Sequence, residues 1–148
     1  MLKNTTFLSL FVILILFVGC GKAGPAVNPV SGTVTLDGQP LTDASIRFTP
    51  KGEGEAAAGS TNASGNLAGI KTLSTGTHGI VAGEYTVTIS KMISKPSKRT
   101  YTVPETGEVV KMTTSEEMVP KNFTLIEKSP VSVSIKKGEN KLTLEFKK

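Results

Sequence analysis

The chain has 148 residues, 17 basic and 12 acidic, for a net charge of +5, with one cysteine, one histidine and no tryptophan. That length holds one domain, and a lone cysteine excludes a disulfide framework within the chain. The basic excess is mild and its lysines are not interleaved with aromatic rings, which excludes the dense surface of a nucleic-acid binder.

Lys3 opens the chain, and residues 7–18 form an apolar run broken only by Ser9. A helix of that length rises about 18 Å against a hydrocarbon core of about 30 Å, so it reads as a signal peptide and not as a membrane span. The run ends Phe17-Val-Gly19-Cys20-Gly21. This order resembles the signals of bacterial lipoproteins, whose cysteine after a small residue is acylated, although Phe17 stands where Leu is usual. The resemblance implies that residues 1–19 are removed and that Cys20 becomes a thioether carrying a diacylglycerol, often with a third, palmitate-like chain. Two or three chains hold a membrane durably at about 0.8 kcal/mol per buried CH2. It also implies an exported protein whose first partner is the membrane. Gly21, where Asp would retain the chain, resembles outer-membrane sorting, facing the periplasm or the cell surface. Residues 20–28 (Cys-Gly-Lys-Ala-Gly-Pro-Ala-Val-Asn) have no periodicity and read as a flexible tether.

The domain expected over residues 29–148 starts with a strand in which Val30, Val34 and Leu36 face one way and Thr33 and Thr35 the other. Asp37-Gly38 tolerates positive φ in a tight reversal. Ala44, Ile46 and Phe48 alternate with polar residues on the strand after it. Residues 51–55 read as a solvated loop, 56–61 as a weak strand, 62–65 as a turn, 66–70 as its return and 71–83 as a loop. Tyr85, Val87 and Ile89 mark a second strong strand. Residues 91–121, with Pro96, Pro104 and Pro120, read as a long inserted loop. Residues 100–103 and 108–112 could form a hairpin within it, around Glu105-Thr-Gly107. Val131, Val133 and Ile135, then Leu142, Leu144 and Phe146, are the closing strands, joined by a turn at 136–140.

About seven short strands separated by turns, with no convincing helical period after Cys20, give an all-β fold, an antiparallel β-sandwich. A mature chain of about 129 residues buries roughly two-thirds of its unfolded surface, enough for one core without disulfides. Residues 30–91 resemble the carboxypeptidase regulatory-like, transthyretin-like domains of exported bacterial proteins. The resemblance is carried by Val30-Ser-Gly-Thr-Val34, Asp37-Gly38, Pro40-Leu41, Ala44, Ile46-Arg-Phe-Thr-Pro50, Thr61 with Gly65, and Gly83-Glu-Tyr-Thr-Val87. The second half, with Glu117-Met-Val-Pro120, Phe123 and the strand pair ending at Phe146, resembles small secreted lipoproteins that carry one such domain. Asn62 and Leu67 stand where these domains read Asp and Phe, which argues against a carboxylate-held ion in that turn. The resemblance implies a prealbumin-like or immunoglobulin-like sandwich that stabilises or recognises and does not catalyse.

The residue inventory points the same way. His78 has no carboxylate at metal-ligand spacing, no cysteine partner and no nucleophile elbow nearby, so no catalytic residue, metal ligand or cofactor site is assigned. Glu53 with Glu55, and Glu116 with Glu117, read as solvated charge. Tyr85 fits a corner tyrosine whose hydroxyl bonds back to nearby backbone. Lys95, Lys98, Arg99 and Tyr101 in the long segment form the candidate binding surface, since loops on rigid sandwiches carry recognition. The expectation is a non-enzymatic, lipid-anchored envelope protein that makes structural or binding contacts with an envelope protein or a glycan. The alternative is an envelope carbohydrate-binding module. A transthyretin-like hydrolase ranks behind both, because that chemistry uses several His and Arg where this chain has His78, Arg47 and Arg99.

Overall fold

The computed structural model describes residues 24–148, so the expected signal peptide and Cys20 lie outside the described residues. The described chain is all-β apart from one helical turn. Its strands are β1 (Val27–Asn28), β2 (Val30–Leu36), β3 (Gln39–Pro40), β4 (Ser45–Pro50), β5 (Ala57–Thr61), β6 (Leu67–Thr72), β7 (Ile80–Val81), β8 (Gly83–Ser90), β9 (Met92–Thr102), β10 (Val109–Glu117), β11 (Ser132–Ile135) and β12 (Asn140–Phe146), with α1 (Lys121–Thr124) after β10. A five-stranded antiparallel sheet has the order β11-β8-β4-β5-β6, and a three-stranded sheet the order β12-β2-β3. Two-stranded pairs are formed by β1 with β7 and by β9 with β10.

Alternation sets which faces are buried. Ile46 and Phe48 of β4, Val87 and Ile89 of β8, Val34 of β2 and Leu144 of β12 are each 1% exposed or less and belong to one apolar cluster fed by both larger sheets. The Asp37-Gly38 reversal has positive φ at both residues, 51° and 79°. It does not lead straight into the strand of Ile46 and Phe48 expected after it. The chain makes the short β3 and then crosses to the other sheet through buried Leu41 and Ala44, where the Thr61 hydroxyl oxygen accepts from the Ala44 amide at 2.9 Å.

The expected antiparallel arrangement fails at one pair. β12 runs parallel to β2, from Asn140 opposite Val30 to Phe146 opposite Leu36, and the two closing strands β11 and β12 lie in different sheets. The parallel register sets Leu144 beside Val34 and Phe146 beside Leu36. Both strands also start at the same end, where the Asn140 amide donates to the Pro29 carbonyl at 3.0 Å. The close approach of β12 requires glycine at 32. A Cβ there would stand 2.0 Å from the Leu142 carbonyl oxygen.

Two further segments depart from the sequence reading. The domain begins earlier than the tether's composition gives. Val27 and Asn28 form β1 against β7, and the buried Asn28 side chain donates to the Ile80 carbonyl and accepts from the Gly138 amide. Residues 91–121 are not a long loop, since most of them form the β9–β10 hairpin, longer at both ends than the one expected inside it.

β8 sets the distance between these two features. Its first residues follow β7, beside which the chain enters, and its last residue leads into β9. Eight residues of strand span about 25 Å, so the hairpin is rooted at the end opposite the entering chain.

Candidate functional site

The hairpin holds all four residues of the expected binding surface, so its construction decides what they can do together. At its root the Glu117 carboxylate accepts from the Ser90 hydroxyl, from the Lys91 amide at 2.8 Å and from the Val119 amide at 3.1 Å. The Met118 amide donates to the Lys91 carbonyl at 2.9 Å, and the Lys91 ammonium donates to the Thr42 hydroxyl at 3.2 Å. At the tip the Val103 amide donates to the Glu108 carbonyl, and Gly107 takes φ 69° as the chain reverses.

Partial burial pushes the Glu117 carboxyl up, but the bonds from the Ser90 hydroxyl and the amides of Lys91, Val119 and Met118 outweigh it and hold the group below the usual carboxylate range. A depressed folded-state pKa contributes stability that is present above the unfolded pKa and lost as pH falls through the folded one. Acid should therefore loosen the hairpin root. Glu117→Gln should cost about 1 kcal/mol or more, the scale of hydrogen bonds to a charged acceptor, and should flatten the acid limb of the thermal stability profile. Melting temperatures of both proteins between about pH 7 and about pH 3 check this, and parallel profiles would refute it. The sequence reads Glu117 as solvated charge, whereas the fold turns its carboxylate onto the hairpin root.

The four expected residues are spread along β9 from root to tip. Lys95, opposite Thr114, makes an ion pair with Glu116 near the root. Lys98 and Arg99 lie in an irregular stretch where β9 has residues 97–99 against Met112 alone, and the Arg99 amide donates to the Ser97 hydroxyl. Tyr101 lies toward the tip opposite Val110 and is 54% exposed. An apolar set that residue-type reasoning missed accompanies them, since Met92, Val109, Val110, Met112 and Met118 are also exposed. The signal was present in the run Val109-Val-Lys-Met112, whose apolar residues have no core strand to face.

The remaining candidates lie outside the hairpin. His78 is exposed and lies beside a shallow hollow lined by Pro29, Val30, Gly69, Ile70 and Gly79. Among the described residues no group of three or more His, Cys, Asp or Glu side chains could hold a metal ion. Glu55 is partly buried and accepts from the Ser74 hydroxyl, tying two loops together where solvated charge was expected. Tyr85 is buried, and its hydroxyl donates to the Val81 carbonyl at 2.9 Å, the corner geometry expected of it. Burial, with the Glu55 charge nearby, pushes the phenol's pKa up. Asn62 closes its own turn, its side-chain oxygen accepting from the amides of Ser64 and Asn66.

No protein family, curated protein or solved structure matches the chain.

Proposed function

We propose that this is an exported lipoprotein, acylated at Cys20 and held at the cell envelope, on the outer membrane of a two-membrane host. The five- and three-stranded sheets would form the two layers of a β-sandwich of the carboxypeptidase regulatory-like, transthyretin-like kind. The role is non-enzymatic: the domain is a scaffold that presents the β9–β10 hairpin to another envelope component.

One observation carries this reading. The hairpin is rooted about 25 Å from where the chain enters the domain, so an anchor on the entering chain would leave the hairpin aimed away from the bilayer. The n–h–small–cysteine order of residues 3–20 supports the anchor, and the exposed apolar and basic residues of the hairpin support a contact surface. A carbohydrate-binding module is the second reading, favoured by the exposed ring of Tyr101. Binding of the intact protein to cell-wall polysaccharide fragments would select it.

The anchor is tested by fractionation and labelling. Wild-type protein should sediment with membranes and take up a fatty-acid label, and Cys20→Ser should abolish the label and retain the leader or release the protein. An unlabelled wild type would overturn the anchor. Turnover of ester, amide or glycosidic test substrates by the wild type would overturn the non-enzymatic role.

A further inference from the structure

The two outer edges of the hairpin are unlike. Among the described residues each strand pairs only with the other, which leaves one open row of main-chain groups on each. Along β9 that row is interrupted by Pro96 and by the irregular stretch 97–99, and it is flanked by Lys95, Lys98 and Arg99. These are the features that keep an edge strand from adding another. β10 has no proline, and Lys111 is its one basic residue. Its nine residues, Val-Val-Lys-Met-Thr-Thr-Ser-Glu-Glu, include no proline or glycine, and Val109, Val110, Thr113 and Thr114 are β-branched.

We propose that β10 is the pairing edge for β10 of a second copy of this chain, with the strands antiparallel about a two-fold axis and β9 on the outside of each copy. This rests on taking the hairpin as the contact surface, and it is independent of acylation at Cys20. Charge selects a second copy in this orientation. Lys111 lies toward one end of β10 and Glu117, held at the root, toward the other, with Glu116 paired to Lys95, so antiparallel copies bring unlike ends together whereas parallel copies would stack like on like. An isologous pair uses the same patch twice, and a two-fold axis normal to the sheet keeps each residue on its own face.

Setting Thr113 against its own copy satisfies these conditions. Lys111 then faces Ser115 of the second copy, with Glu117 of that copy diagonal to it. In the same register Val109 at the tip of one hairpin faces Glu117 at the root of the other, with the exposed Met92 of that copy one strand further on. The joined sheet would have four strands, whereas a lone two-stranded hairpin is marginal in water.

The test uses the full chain in detergent. Sedimentation velocity should give a dimer for the wild type. Thr113→Lys, an exposed change that sets two like charges at the axis, should weaken association several-fold with the melting temperature unchanged. In a Cys20→Ser background, Thr113→Cys should form a disulfide-linked dimer under mild oxidation, while Thr100→Cys on β9 should not. A wild type that stays monomeric at every concentration overturns the proposal and leaves β10 to a strand of a different protein. Equal cross-linking at positions 100 and 113 overturns it as well. Loss of the fatty-acid label with the dimer intact would count against the anchor alone.

Discussion

Gly32→Ala is expected to deprive the chain of a stable three-stranded sheet. The added methyl would stand 2.0 Å from the Leu142 carbonyl oxygen and 2.7 Å and 2.8 Å from its carbonyl carbon and amide nitrogen, all main-chain atoms of β12. No rotamer change relieves a clash with backbone, so β12 has to move off β2. Position 32 also takes φ 149°, a conformation that L side chains rarely adopt. Clash and strain together put the cost at about 3–5 kcal/mol, at the far end of single substitutions, or roughly 10–20 °C in melting temperature for a domain of this size. Gly38→Ala is the control. It shares a positive φ, 79°, but meets nothing within 4 Å, so it should cost only about 1 kcal/mol. Thermal unfolding followed by circular dichroism separates the two. Equal, small losses would mean that the parallel β2–β12 pair is not packed this closely.

Phe146→Ala is the second large loss. Phe146 is fully buried on β12, and its ring meets that of Phe123 on α1 edge-on, centroids 5.3 Å apart at 64°. Truncation removes the transfer free energy of the ring and leaves a cavity, about 3–5 kcal/mol in well-packed cores, and it deprives Phe123 of a contact that adds about 0.5–1.5 kcal/mol. Phe146→Leu keeps most of the apolar volume and should lose much less. Urea unfolding gives both numbers, and the alanine variant should unfold at the lower midpoint. Comparable midpoints would mean that the site collapses around the missing ring.

The strands that supply the core were legible because a half-buried strand writes its burial in every second residue. Ile46 with Phe48, Val87 with Ile89, and Leu144 with Phe146 all face inward as their alternation requires. Local chemistry was legible too, as in the positive φ of Asp37 and Gly38 and the hydroxyl bond of Tyr85. Partnership between distant strands was not. Nothing in the pattern of residues 140–146 says whether they join Ile135's strand or Val30's, since alternation fixes a face and not a neighbour. The hairpin was foreshortened for a related reason. Pro96 and the polar run from Thr113 to Glu117 argue against a strand that buries one face, and in β9 and β10 Ile93, Ser97 and Glu117 alone are half-buried and the rest exposed. The role of Glu117 is not legible in the sequence because a carboxylate's worth depends on which amides point at it, and those of Lys91 and Val119 converge only after the hairpin has formed.

The pairing of β2 with β12 also dictates when folding can finish. The Gly138 amide reaches the Asn28 side chain across 110 positions, and the whole β2–β12 ladder joins segments equally remote in sequence. A chain delivered amino end first, from a ribosome or through a translocation pore, would hold β2 without its neighbour until residue 146 had emerged. Closure over so long a separation is slow, and the waiting edge is a place for wrong partners. Dependence on a holding chaperone during delivery would follow from the order in which the strands appear.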